Sequence, residues 1–215
     1  NNGEWTELGT NVVTFGGSSG DMRLRGKSDI GTAVAGANEN SRTSFVFGNN
    51  SNEVECKGDI RTLIDYENYN TVRTDRACFA WLFYNAPIVS APALPATQLA
   101  VSCYSRMFYG CTSLSSAPEL PATELADYCY YYMFQGCSSL SSAPALLATQ
   151  LAKGCYSFMF YGCTSLSSAP ELRATQLAVG CYFLMFADCT SLSSAPSLPA
   201  TQLARSCYYR MFEGC

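Results

Sequence analysis

CYSRMFYGCTSLSSAPELPATELADY, Cys103 to Tyr128, is a 26-residue phrase that the chain repeats. It starts again at Cys129, Cys155 and Cys181, and a further copy opens at Cys207 and runs to Cys215. A worn version comes before them: CFAWLFYNA, Cys78–Ala86, then SAPALPAT, Ser90–Thr97, one residue shorter overall. Self-similarity at a fixed period of about 20–50 residues is the signature of stacked, equivalent layers, each covering its neighbour's apolar flank. The phrase predicts an α/β solenoid over residues 77–215, each 26-residue rung made of one strand and one short helix.

The helix is read from the first half of each copy. In LAVSCYSRMFYGC, Leu99–Cys111, the residues Leu99, Cys103 and Met107 lie four apart, with Ala100, Tyr104 and Phe108 beside them. That is an apolar stripe of the kind a short helix lays on a core. Thr97, Thr123, Thr149, Thr175 and Thr201 stand where N-caps belong. Gly110, Gly136, Gly162 and Gly214 suit a left-handed C-terminal residue, and Asp188, which replaces glycine once, tolerates that region better than most. The second half, TSLSSAPELPAT, reads as extended. Leu114 and Leu120 point inward with Ala117 between them, and the recurring Pro118, Pro144, Pro170 and Pro196 remove a ladder donor and keep the strands short.

Residues 1–76 are of another kind. Short apolar stretches at Asn11–Phe15, Met22–Arg25, Ser44–Phe47 and Glu53–Cys56 alternate with Gly-, Asn- and Ser-rich turns, which predicts a small antiparallel sheet. A solenoid needs its open apolar end covered, so this β-rich unit reads as an N-terminal cap. The run Gly16–Gly20 is not a phosphate loop, because no Lys-Ser/Thr follows it.

The charge is unevenly spread. Residues 1–76 hold 19 charged positions, whereas residues 77–215 hold 11 of 139. An array so poor in charge lacks the electrostatic footprint for nucleic acid or anionic lipid. Apolar residues make up 48% of the chain, ample for a core, yet no run approaches the roughly 18 residues of a membrane span. The row opens without Met or a charged-then-apolar leader, as a chain does after a removed signal or a trimmed start. It stops within a repeat, so the expectation is that the chain continues or that the open rung associates end to end with another molecule.

Ten of the twelve cysteines belong to the repeat. Within a copy they are spaced C-x7-C, about 12 Å apart along a helix, beyond the roughly 7 Å that a disulfide bridges. Two ladders of buried thiols acting as small apolar groups is the leading reading. Disulfides between rungs and metal binding are the alternatives; with no histidine and no tight cysteine pair, no metal site and no cofactor is assigned.

The repeat, with its MFxGCxSL core and extended proline segment, resembles the BspA-like leucine-rich repeats of bacterial surface proteins common in gut and oral anaerobes. Here Met stands where that family usually has Ala, and Ala-Pro replaces its Ile pair. LRGK (Leu24–Lys27) and GDIRTLIDY (Gly58–Tyr66) resemble the segment preceding such repeats in related surface proteins. The resemblance implies a cell-surface or extracellular location, a role in adhesion or protein binding, and no catalytic residues.

The chain's own residues agree with a non-enzyme. Without histidine the Ser-His-Asp and Cys-His arrangements are absent. Glu119 and Glu171 share a slot that holds Ala145, Ala93 or Ser197 in other copies, which marks it as free to vary. The positions that change while the frame holds are Ser105, Arg106 and Tyr109 and their counterparts. They include Tyr131, Tyr132 and Gln135, then Ser157, Phe158 and Tyr161, then Phe183, Leu184 and Ala187, then Tyr209, Arg210 and Glu213. The aromatic ones, Tyr109, Tyr131, Tyr132, Phe158, Tyr161, Phe183 and Tyr209, are the candidate partner-binding residues, offering large contact area at low entropic cost. Packing between rungs is the alternative role. Ser/Thr ladders such as Thr112, Ser113, Ser115 and Ser116 read as a solvated surface. The expected partner is a protein, or a neutral glycan stacking on the Tyr and Phe rows.

Overall fold

The computed structural model of the chain describes residues 24–28, 32, 44–47 and 53–215. Asn11–Phe15, Gly16–Gly20 and the start of Met22–Arg25 lie outside the described residues. Regular structure among those described is sparse: a 3₁₀ turn at Ile60–Leu63 and two short strands, β1 (Val54–Glu55) and β2 (Ile88–Ser90). The strands pair in parallel, Val54 opposite Ile88 and Glu55 opposite Ser90, with an irregularity between them. The antiparallel expectation for Glu53–Cys56 is therefore corrected. The segment runs the same way as the copy it lies against, and Ile60 N–H continues the pairing to the Ala93 carbonyl (3.1 Å). Ser44–Phe47 forms no strand; Phe45 N–H donates to Leu82 O at 2.9 Å and its ring packs on Phe83.

The predicted helices are absent. Leu99–Cys111 and its counterparts are chains of overlapping turns in which two kinds of hydrogen bond alternate. Cys103, Ser105, Met107, Tyr109 and Cys111 donate to the carbonyl three residues back, at 3.0–3.3 Å. The residues between them, Ser102, Tyr104, Arg106, Phe108 and Gly110, donate across to Asp127, Cys129, Tyr131, Met133 and Gln135 of the next copy, at 2.7–3.0 Å. Left-handed backbone recurs at every fourth residue: Ser102 (φ 57°), Arg106 (φ 56°) and Gly110 (φ 71°). The pattern repeats copy after copy as far as Asp188 N–H on Glu213 O at 2.7 Å.

A physical reason separates this backbone from a helix. An α-helix spends its interior N–H groups within the segment and leaves none to join neighbouring segments. The turn chain divides its donors equally between itself and the next copy, so layering satisfies the backbone completely. Each left-handed L-residue costs about 1–2 kcal/mol, which the shared ladder offsets. The threonines expected to cap helices are exposed and have no helix to cap. In the extended half, only isolated parallel bridges form between copies, at Gln98–Glu124, Leu146–Leu172 and Gln150–Gln176. The recurring prolines account for that sparseness.

Stacked side-chain rows at the 26-residue spacing fill the interior. Phe83, Phe108, Phe134, Phe160, Phe186 and Phe212 stack with centroids 5.5–5.7 Å apart and planes within 8°. Phe79, Tyr104, Tyr130, Tyr156, Tyr182 and Tyr208 form a second row at 5.7–5.9 Å. Each such pair contributes about 0.5–1.5 kcal/mol beyond its area. Met107, Met133, Met159, Met185 and Met211 lie buried with them, as do Leu114 and Leu120 from the extended half. All twelve cysteines are free thiols. The second cysteine row is hydrogen-bonded as well as packed: Cys137, Cys163 and Cys189 donate to the carbonyls of Phe108, Phe134 and Phe160 in the copy before, at 3.1 Å. Burial pushes the Cys111, Cys129 and Cys189 thiols up to about 12, so they stay protonated at neutral pH.

Candidate functional site

The turn chain presents one side to the core and the other outward. Its three left-handed positions per copy are filled differently. The third holds Asn85, Gly110, Gly136, Gly162, Asp188 and Gly214, residues that accept positive φ readily. The middle one holds Trp81, Arg106, Tyr132, Phe158, Leu184 and Arg210, at φ 49–65°. Glycine would sit there without strain, yet no copy uses it. Three residues further on stands a second outer row: Tyr84, Tyr109, Gln135, Tyr161, Ala187 and Glu213.

These two rows wall a shallow trough along the stack. One hollow of about 270 Å³ lies among Trp81, Tyr84, Arg106, Tyr109, Tyr132 and Gln135. A wider one of about 540 Å³ continues from Tyr132 and Gln135 past Phe158 and Tyr161 to Leu184, Ala187, Asp188, Arg210 and Glu213. Tyr132 and Gln135 belong to both, so the hollows join. Apart from Asp188, each lining residue comes from the two outer rows.

The trough mixes rings with hydrogen-bonding groups. Tyr132 and Phe158 stack at 4.2 Å and 12°, and Tyr131 stands edge-on to Tyr132 at 4.2 Å. The Arg106 guanidinium lies 4.7–4.8 Å from the ring centres of Trp81, Tyr131 and Tyr132, a cation held among three aromatic faces. The Asp188 carboxylate beside the Tyr161 hydroxyl raises its pKa. Gln135 Oε1 is buried and has no hydrogen-bond partner among the described residues. Arg210 pairs with Glu213 at 3.3 Å, both half-exposed.

Of the seven candidate residues, Tyr109, Tyr132, Phe158 and Tyr161 line the trough. Tyr131, Phe183 and Tyr209 lie beside it: Tyr131 against Tyr132 and Phe158, and Phe183 stacked on Tyr209 at 4.9 Å. Ring contacts join all seven into one array, through Tyr109–Tyr132 (6.4 Å) and Phe158–Phe183 (5.3 Å). Six are half-buried and only Tyr209 is exposed, so packing between copies and outward display coexist. Trp81, Tyr84 and Asp188 were not among the candidates. Aligning CFAWLFYNA with CYSRMFYGC places Trp81 and Tyr84 in the two outer rows, and that register was the available signal. Ser105 and Ser157, expected to face outward, are buried and donate to Tyr131 O and Gly180 O. The helical reading put them on the wrong side, because the true period is four.

Glu119 and Glu171 are exposed, and Glu171 pairs with Arg173 at 2.7 Å. Among the described residues, no helix is long and apolar enough to cross a membrane. Comparison with protein-family models, with curated proteins and with solved structures finds no match to this chain.

Proposed function

We propose that the chain is a non-enzymatic interaction module, a leucine-rich-repeat-like solenoid displayed at the cell surface or secreted, that binds a protein partner along the aromatic trough. The observation that carries this reading is the middle left-handed position. A bulky L-residue there is a conformational outlier, and strain of this sort collects where a site requires it. Trp81, Arg106, Tyr132, Phe158, Leu184 and Arg210 accept it and line the trough. Glycine fills the third position in four of six copies and the first in two of six, but the middle one in none.

The ring geometry favours a polypeptide over a glycan. Sugar stacking needs an open ring face, but Tyr132 and Phe158 turn their faces toward each other and Arg106 lies over Tyr132. What the trough offers outward is ring edges, a guanidinium, amide and carboxylate groups, a mixture suited to side chains and main chain. Immobilised extracellular-matrix proteins and a glycan array, each probed with wild type and with Tyr132→Gly/Phe158→Gly, test the proposal. Saturable binding to a protein that the double variant loses supports it. Binding confined to glycans, or protein binding that the double variant keeps, overturns it.

A further inference from the structure

The wider hollow exists because one copy departs from its neighbours in three places at once. At the middle left-handed position, Leu184 stands between Phe158 and Arg210 of the flanking copies, and three residues on, Ala187 stands between Tyr161 and Glu213. The next residue, Asp188 (φ 58°), takes the place that Gly162 and Gly214 fill on either side. Two shortened side chains open a notch, and a carboxylate is set at its edge. Asp188 leans along the stack over Gly214, whose missing side chain makes room for it.

The notch has a consistent chemistry. Tyr132, Phe158 and Tyr161 supply aromatic wall on one side, and Asp188 and Glu213 supply carboxylates on the other. Arg210, at the same hollow, is turned to Glu213 and lies over the Tyr209 ring at 5.2 Å. Aromatic wall and carboxylate together ask for a flat cation rich in N–H donors, which describes a guanidinium. This face already holds one: Arg106, from the copy three before, sits among Trp81, Tyr131 and Tyr132. In the notch copy the corresponding residue is Leu184, and the guanidinium that does reach this hollow, Arg210, is engaged by Glu213 rather than by Asp188.

We infer that the notch at Leu184, Ala187 and Asp188 receives an arginine side chain of the partner polypeptide, its guanidinium donating to the Asp188 carboxylate beside the Tyr161 and Phe158 rings. The partner's main chain follows the trough. This rests on the reading of the trough as a protein-binding surface.

The test is selection of a phage-displayed random peptide library on the whole chain, followed by titration of the selected peptides as synthetic ligands. Ala187→Tyr and Asp188→Gly are the variants, each installing the residue that other copies carry at that place, with thermal unfolding as the check that they fold. Selected peptides are expected to share an arginine. Replacing it with citrulline, or Asp188 with Gly, weakens binding about tenfold or more, and Ala187→Tyr abolishes it. Peptides that bind without a required arginine, or that bind Ala187→Tyr as well as wild type, overturn the notch; if Tyr132→Gly/Phe158→Gly still removes them, the trough reading survives. Failure to enrich any peptide sensitive to either set of variants overturns both.

Discussion

Tyr132 and Phe158 stack with ring centres 4.2 Å apart and planes 12° from parallel, and each sits on left-handed backbone, at φ 57° and 56°. The favourable contact between the two rings, about 0.5–1.5 kcal/mol, is comparable to the strain of one such residue, about 1–2 kcal/mol. What the pair gains the fold is therefore the area that its two rings half-bury. Two residues on, Phe134 and Phe160 stack at 5.6 Å inside the core, with no exposure. The inner rows hold the copies together, and the outer row is carried by them.

The glycines at the third left-handed position are not equivalent. A side chain at Gly110 would run into Asn85 Oδ1, whereas one at Gly136 would meet only the Gly110 Cα, at 3.8 Å. Gly136→Ala should therefore lose only the conformational part, about 1–2 kcal/mol, and Gly110→Ala more. Adding Asn85→Gly to Gly110→Ala should recover the difference. Urea midpoints measure this, and equal losses for the two single variants would refute it.

Thiol reactivity should be nearly binary. Cys215 is exposed, Cys56 is half-buried, and the other ten are buried. Burial also raises the Cys78, Cys111, Cys129 and Cys189 thiols to about 12, which removes the reactive thiolate there. In native protein, Ellman's reagent should titrate Cys215 quickly and Cys56 slowly, and reach the ten only on unfolding. Rapid reaction of most of the cysteines in the native state would contradict the buried rows.

Stability should fall on the alkaline side. Folded Cys78, Cys111, Cys129 and Cys189 ionise near 12 against an ordinary 9.0, and burial raises Tyr130 and Tyr156 well above 10.0. A raised folded pKa means that the folded state keeps protons the unfolded chain gives up. The stability this represents is intact below pH 9.0 and is lost as pH climbs through the window up to about 12. Denaturant midpoints should be level through neutral pH and drop steeply above about pH 9. A midpoint that rises or stays level there would contradict this.

The periodicity of the chain made the rows legible. Cys, Tyr, Met, Phe and Leu recur in one frame, and their burial follows it. The local backbone was misread, for a reason visible in retrospect. Tyr104, Met107, Phe108 and Cys111 fall at the i, i+3, i+4 and i+7 positions of a helical face, and the same residues suit a turn chain of period four, so the apolar pattern did not separate the two. Residues tolerant of positive φ recur eight apart, as in Gly154 and Gly162, or Gly180 and Asp188. A helix has no use for that spacing, while a turn with a left-handed residue every fourth position does. The outer aromatic residues were legible by their variation between copies. The notch was not, because it depends on which side chains are small, and that acquires meaning only once the neighbouring copies are known to wall it.

The most direct measurement is calorimetric unfolding of Tyr132→Gly/Phe158→Gly beside Phe134→Ala/Phe160→Ala. In the outer pair, relieved strain and lost stacking nearly cancel and the half-buried ring area is lost, about 1 kcal/mol per ring, so its melting temperature should lie within about 10 °C of wild type, at roughly 2–4 °C per kcal/mol for a chain of this size. The inner pair should lose about 3–5 kcal/mol per site and melt far lower or fail to fold. An outer pair that destabilises as severely as the inner one would show that Tyr132 and Phe158 are there for packing, and the binding trough would lose its main support.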